Sequence, residues 1–428
     1  MSRKSHAVKR RRDPLRAFSR LARVPADLDS VTERGTENPE REAGLRKGSA
    51  EALWQRLREL YATGVQPGLQ LCVRHRGKVV LNRAIGYARG AEPGAAGKLV
   101  PMRVDTPINL FSAAKAVTAM LVHKLQELGK LDIDDAVAAY IPGFERHGKG
   151  AITVRQVLTH RAGLQRLPVL ASEDALGLLA DPAAIAEMIA DLKPAKIGGA
   201  PAYHAVSGGF ILAEVMRRAT GREPRALLDE LLKKPLGARW LDFGVAPQDA
   251  AKVAHNMDTG FAPGPIGWQL ANILGVPLPT AVRLSNDPRF LTALVPSANV
   301  IATAHDVAAF YQCLVDEGRF GGHRVFEADT VRRAVAPDRA GASIDRVIGI
   351  PIRYSPGFMV GHRGLGLYGW NRTSTFGHLG LSSTFTWARP DTGTAVALIT
   401  NGKPILGPHL REMVAVFTSL NAFCENKI

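Results

Sequence analysis

The chain has 428 residues, 46% hydrophobic and 22% charged, long enough to bury a large core and ordinary in composition for a soluble globular protein. No apolar run reaches the ~20 residues that a membrane-spanning helix needs; the closest, residues 266–282, is interrupted by Pro277 and Pro279. The net charge of +16 is unevenly placed, with half of the excess inside residues 1–24, so it marks an arm and not a basic fold.

That arm carries Arg3, Lys4, Lys9, Arg10, Arg11, Arg12, Arg16, Arg20 and Arg23 against Asp13. It lacks the apolar segment of a secretory signal, so the expected location is cytoplasmic. Residues 1–48 show little apolar periodicity and are expected to be a basic, mostly disordered leader. Peripheral contact of the arm with anionic lipid is one use for it; nucleic acid is disfavoured because the charge is not spread over the fold. Cys72, Cys313 and Cys424 are far apart and odd in number, which suits buried thiols in a reducing compartment.

Order is expected from Ser49, read as the N-cap of a helix carrying Leu53, Trp54, Leu57, Leu60 and Tyr61. The period then changes to two. Leu69, Leu71 and Val73 alternate with Gln70, Cys72 and Arg74, and a turn at Gly77-Lys78 leads to Val79-Val80-Leu81 as a hairpin. A helix is expected over residues 112–128. Helical patterns then dominate to about residue 290, including Val154 to Leu158, Pro182 to Asp191, Phe210 to Ala219 and Arg225 to Leu232. Asp132, Asp134 and Asp135 read as capping or solvating acids.

After a helix beyond Thr303, strand signals return. Residues 384–388 and 394–400 flank the turn Pro390-Asp391-Thr392-Gly393, and a last helix places Leu410, Met413, Val414, Phe417 and Leu420 on one face. Strands at both ends of the folded region with helices between them predict an α+β fold. Its antiparallel sheet is built from both chain ends (residues 49–110 and 291–428), with a helical part (residues 111–290) inserted.

Several motifs drop out. Gly364-Leu365-Gly366-Leu367-Tyr368-Gly369 has the letters of a dinucleotide fingerprint but no βαβ unit around it, and is read as a loop. No serine lies in Gly-x-Ser-x-Gly, no Gly-Lys pair continues as a P-loop, and the twelve histidines have no close metal-ligand spacing. No metal or cofactor is expected.

Ser112-Ala113-Ala114-Lys115 places a hydroxyl and an amine one helical turn apart, a nucleophile beside a base, near the positive end of the helix dipole. Tyr203, at the entrance to the next apolar helix, can reach a neighbouring helix start and relay the serine's proton; alone, it is equally a packing tyrosine. Gly377, Gly380 and their neighbours keep a strand edge small, and the backbone N–H of Leu381 can join that of Ser112 as an oxyanion hole, with His378 projecting into the same cleft. Residues 263–279, with Ile266, Trp268, Leu270, Ile273, Leu274 and Val276, are either an acyl-pocket lining or a packed connector.

At these residues the chain resembles the serine β-lactamase-like family, which includes class C β-lactamases, DD-peptidases and family VIII carboxylesterases. The likeness covers roughly Val65 to Gly402. Ser112-Ala113-Ala114-Lys115 matches Ser-x-x-Lys, Tyr203-His204-Ala205 matches Tyr-x-Asn, and His378-Leu379-Gly380 matches Lys-Thr-Gly. Residues 157–164 and 129–132 also resemble family segments. The resemblance implies covalent acyl transfer by Ser112, with Lys115 and Tyr203 sharing the proton and the choice of base between them open. Ala205 in place of asparagine removes an amide partner, and His378 in place of lysine weakens the grip on a substrate carboxylate near neutral pH. Both departures point to a small-molecule ester of short or medium acyl length. Acyl transfer to an alcohol, β-lactamase or D-amino-acid peptidase activity, and a non-catalytic scaffold are the alternatives.

Overall fold

The computed structural model describes residues 19–92, 97–165, 167, 175–262 and 264–425. Its centre is one antiparallel sheet. The strands are β1 (Thr32–Arg34), β2 (Gly68–His75), β3 (Lys78–Arg89), β4 (Val100–Pro101), β5 (Ser343–Ile344), β6 (Pro351–Tyr354), β7 (Met359–Val360), β8 (Phe376–Gly380), β9 (Thr384–Arg389) and β10 (Thr394–Thr400). Their spatial order is β5-β6-β7-β8-β9-β10-β2-β3-β1, with β4 on β3. The chain ends meet where β10 pairs β2, Leu398 opposite Leu71 and Val396 opposite Val73. The expected sheet built from both ends is therefore present.

Helices cover both faces. On one side, helix α1 (Ser49–Ala62) and the last helix pack Trp54, Leu57, Tyr61, Val416 and Leu420 onto Leu69, Leu71, Val73, Val396 and Leu398. On the other, Cys72, Ala397 and Ile399 face α5 (Ala304–Val315), with the helices of the inserted part, α2 (Ala114–Glu127), α3 (Val154–Leu158) and α4 (Ser207–Thr220), continuing the same core. Strand β2 is thus buried on both faces, and the expected polar alternation does not leave Gln70 at the surface. Its amide is satisfied inside: Nε2 donates to the carbonyls of Arg103 and Thr106 at 2.5 and 2.8 Å, and Oε1 accepts from the Ala304 N–H at 2.9 Å. A buried amide survives because its donors and acceptor are paired. This one ties the sheet to the loop before Ser112 and to the start of α5.

Several expectations need correction. The hairpin turns at Arg76 and Gly77, both at positive φ, the geometry of a type I′ turn. Ser49 lies inside α1; Gly48 is the N-cap, and the distant Glu40 carboxylate accepts the N–H groups of Gly48 and Ala50 at 2.6 and 2.5 Å. On the last helix, α6 (His409–Glu425), Met413, Val416, Leu420 and Phe423 face the sheet, whereas Leu410 and Val414 are exposed. Helix α4 starts at Ser207, earlier than expected. Gly209 belongs to it because a Cβ there would meet Ser297 Oγ at 2.2 Å, so the helix can pass Ser297 only at glycine. The stretch 364–369 is a small hairpin pairing Leu365–Gly366 with Gly369–Trp370.

The expected disordered leader is corrected for residues 19–48; residues 1–18 lie outside the described residues. Ser19–Arg20 pairs antiparallel with Gly260–Phe261, and β1 pairs β3. The charges that resembled a solvated tail have partners. Glu37 takes the buried Arg83 guanidinium in two bonds, at 2.8 and 2.9 Å, and Glu51 takes it at 2.9 Å. Cys72 and Cys313 are buried free thiols, as expected; the Cys424 side chain lies outside the described residues. Among the described residues no helix is long and apolar enough to cross a membrane.

Removing Arg83 strands Glu37 in a half-enclosed site, and breaking such a pair from one side costs about 3 kcal/mol. Arg83→Ala should therefore shift the urea midpoint down and open residues 32–48 to proteolysis before the rest of the chain. Proteolysis that begins elsewhere first would show that Arg83 does not hold this segment.

Candidate active site

The turn that carries Ser112 is set before the helix that follows it. Asn109, in a short strand beside Val300–Ala302, accepts the Phe111 N–H on Oδ1 at 3.0 Å. Phe111 itself sits at φ +48, a conformation that costs a non-glycine residue roughly 1–3 kcal/mol. Residues 111–113 form a single 3-10 turn, and α2 begins at Ala114, so Ser112 stands just ahead of the helix and Lys115 in its first turn.

Lys115 Nζ lies 3.4 Å from Ser112 Oγ, 2.7 Å from the Ala205 carbonyl and 3.1 Å from the Ser297 carbonyl. Among the described residues no carboxylate pairs with it. Although part of its side chain borders the cleft, its amine is desolvated, which lowers its pKa to about 7. A neutral amine has two N–H bonds and one lone pair. The two carbonyls take the N–H bonds, which leaves the lone pair for the serine hydroxyl.

Tyr203 is buried, with its ring 4.8 Å from Lys115 Nζ and Ser112 near enough to its phenol to offset part of the effect of burial. Burial raises its pKa, so the phenol keeps its proton. The Tyr203 N–H donates to Asp345 Oδ1 at 3.2 Å; the same carboxylate accepts the N–H groups of Val347 and Ile348, both at 2.9 Å, and the Tyr354 hydroxyl at 3.0 Å. Sequence reasoning missed Asp345. Its one signal was an aspartate heading the apolar run Val347–Ile350, the pattern of an Asx turn.

Histidines surround this group. His160, at φ +59, accepts the His204 N–H on Nδ1 at 3.1 Å and packs its ring 4.7 Å from that of Tyr203. His204 Nε2 accepts the Leu164 N–H at 3.0 Å. His378 Nδ1 donates to the Leu379 carbonyl at 2.8 Å, its ring 6.2 Å from that of Tyr203. Burial pushes His160 well below its ordinary pKa and His204 and His378 down to about 3, with Lys115 adding to each. The expected weakening of the grip on a carboxylate at His378 is more complete than residue type alone implies: enclosed in protein, the ring stays neutral.

Strand β8 closes the site. A Cβ on Gly380 would meet the Leu110 carbonyl at 2.3 Å, so glycine lets β8 lie against the nucleophile turn. Leu381 follows directly, and neither its N–H nor that of Ser112 has a hydrogen-bond partner among the described residues. Leu379 and Ile273 pack on the apolar cluster of Tyr203, Ala205 and Met359. In the expected acyl lining, Ile273 faces the site, but Ile266 and Trp268 are exposed.

A family profile described as Beta-lactamase matches residues 54–415. The chain belongs to the beta-lactamase family. Esterase/beta-lactamase LipL of Mycobacterium tuberculosis is 30% identical over 331 residues, 71% of each chain. Esterase EstB of Burkholderia gladioli is 28% identical over 311 residues, 68% of this chain and 74% of its own. A crystal structure of a family VIII carboxylesterase superposes with a TM-score of 0.74 at 27% identity, covering 88% of this chain and 98% of the other. This beta-lactamase-family chain is thus a serine hydrolase with an α+β fold shared by esterases.

Because Lys115 must be neutral to accept a proton, kcat/KM for p-nitrophenyl acetate should climb about tenfold per pH unit up to its pKa of about 7, then level. Lys403→Met should leave that limb in place, since Lys403 bonds the Thr400 carbonyl and not Ser112. A limb that moves with Lys403 would contradict the assignment. Gly380→Ala should lower kcat at least about tenfold with the fold retained by circular dichroism, because the methyl displaces the turn holding Ser112; unchanged turnover would show that this approach is not needed.

Proposed function

We propose that the chain is a carboxylesterase that cleaves short or medium acyl esters through an acyl-enzyme on Ser112. The observation that carries this reading is the Lys115 amine, desolvated and with no acid beside it among the described residues, 3.4 Å from Ser112 Oγ.

Lys115 takes the hydroxyl proton as Ser112 Oγ bonds to the ester carbonyl carbon. The N–H groups of Ser112 and Leu381 hold the oxyanion that forms. Collapse breaks the bond to the alcohol oxygen. The leaving alkoxide takes the Tyr203 phenol proton, and the Lys115 ammonium returns one to Tyr203. Water then repeats the sequence on the acyl-enzyme, and the carboxylic acid leaves. The raised pKa of Tyr203 supports a donor role for it and leaves Lys115 as the base.

The surroundings favour an ester over a carboxylate-bearing substrate. Neutral His378 offers no cation, Ala205 presents a methyl group, and Leu379, Ile273 and Met359 give the cleft an apolar lining. An anion entering there would lose its hydration without a partner.

Ser112→Ala should abolish hydrolysis of p-nitrophenyl butyrate and labelling by a fluorophosphonate probe; undiminished turnover would overturn the reading. The wild-type ratio of kcat/KM for p-nitrophenyl butyrate to that for nitrocefin should exceed about a hundredfold. A ratio near one would favour a β-lactamase.

A further inference from the structure

Ten large apolar side chains stand out as exposed among the described residues, and six of them belong to three elements around the site. The helix Gly264–Leu274 presents Ile273 inward to the Tyr203 cluster and Ile266 and Trp268 outward, Trp268 at 77% exposure. The segment 343–354 presents Val347 and Ile348 inward and Ile344 and Ile350 outward. The hairpin 365–370 lies where the site cluster meets the cluster under α6: Leu367 packs on both, Tyr368 on the latter, and Leu365 and Trp370 point outward. Gln269 links the first two, its Nε2 donating to the Val347 and Ile348 carbonyls at 3.5 and 3.4 Å. An apolar rim of this kind, with two tryptophans at its edge, is unusual on a surface that meets only water.

The segments that carry these exposed side chains are neutral or basic. Residues 259–282 contain no charged residue, and the only acid in residues 339–372 is Asp345, which is buried on Tyr203. Arg346 and Arg363 are exposed and make no ion pair among the described residues. The N-terminal arm starts from the same place: Ser19 pairs with Phe261, three residues before the exposed helix, and the eighteen residues ahead of it carry seven Lys or Arg against Asp13.

We propose that this rim and the arm together form a docking face for an anionic lipid surface, so that the esters reaching Ser112 are drawn from lipid. The proposal rests on the esterase reading for its substrate, but not for its binding. Insertion of apolar side chains and attraction of a polybasic segment are each weak alone and hold when combined, and here the polybasic segment joins the chain at Ser19, beside the strand that leads into the exposed helix. The cations select an anionic headgroup. Trp268 and Ile266 enter beneath it, leaving the cleft opening at the depth where acyl ester bonds lie.

The test is co-sedimentation of the full chain with phosphatidylglycerol-containing vesicles and with pure phosphatidylcholine vesicles, beside turnover of soluble p-nitrophenyl acetate. The wild type should sediment with the anionic vesicles and lose most of that binding in high salt. Ile266→Ser/Trp268→Ser and, separately, Arg346→Gln/Arg363→Gln should each bind at least about fivefold less while soluble turnover stays within about twofold. Ser112→Ala should sediment like the wild type, so a wild type that binds the vesicles but hydrolyses no ester sinks only the esterase reading. The docking face is overturned if the wild type ignores anionic vesicles. Undiminished binding by Ile266→Ser/Trp268→Ser overturns it as well, since the arm would then act alone. So does a dimer in solution that Trp268→Ser dissociates, or duplex DNA binding that outcompetes the vesicles.

Discussion

The proposed chemistry depends on one amine held without a counter-charge among the described residues. Lys115 has two carbonyl acceptors, one hydroxyl neighbour and, among those residues, no carboxylate, so burial acts on it unopposed and lowers its pKa to about 7. An aspartate in this position would reverse the effect, because an opposite charge stabilises the ammonium and removes the lone pair. The three nearby imidazoles fit the same requirement. His160, His204 and His378 are each buried and neutral, and each accepts or donates one backbone hydrogen bond instead of carrying charge. The polar groups at the site are thereby fixed in place without screening the amine.

The distances around that amine are consequences of the sheet. Lys115 rides on α2, Ala205 precedes α4, Ser297 lies in the loop before the strand Val300–Ala302, and Gly380 ends β8. Four segments far apart in sequence converge because the chain ends pair as β10 and β2 and the helical part packs against the inner face of that seam. Glycine is used where the convergence is tightest. Gly209 lets α4 pass Ser297, and Gly380 lets β8 touch Leu110, the two sides of the gap in which the nucleophile sits. A methyl group at either place pushes a wall of the site outward.

Local spacing made much of this legible. The edges of the 154–158 and 182–191 helices, the β9–β10 hairpin and the pairing of Ser112 with Lys115 rest on periodicity within a short window, and the structure reproduces them. What the spacing misjudged involved partners distant in sequence. Glu37 and Glu40 resemble solvated charge until Arg83 and the start of α1 are beside them. Gln70 resembles a surface residue until the second face of β2 is covered. The face of α6 was misassigned because Leu410 and Val414 are apolar but exposed, and hydrophobicity alone does not say which stripe meets the sheet. Asp345 was missed for the same reason: its role appears only when Tyr203 arrives from more than a hundred residues away.

His378 shows how burial, more than residue type, sets selectivity. Read from its side chain alone, it is a weakened cation that still offers some charge to a carboxylate near neutral pH. Inside the structure its Nδ1 is committed to the Leu379 carbonyl, and desolvation keeps the ring neutral down to about pH 3. The apolar enclosure that frees the Lys115 lone pair also strips His378 of its charge, so the site cannot gain a reactive amine and keep a cationic carboxylate clamp beside it by the same means. A relative that needs the clamp has to use a group that stays charged when buried or keep that corner wet. With His378 enclosed and Ala205 presenting only a methyl group, the cleft is apolar beside Ser112, and the proposed base and the proposed selectivity have a common physical origin.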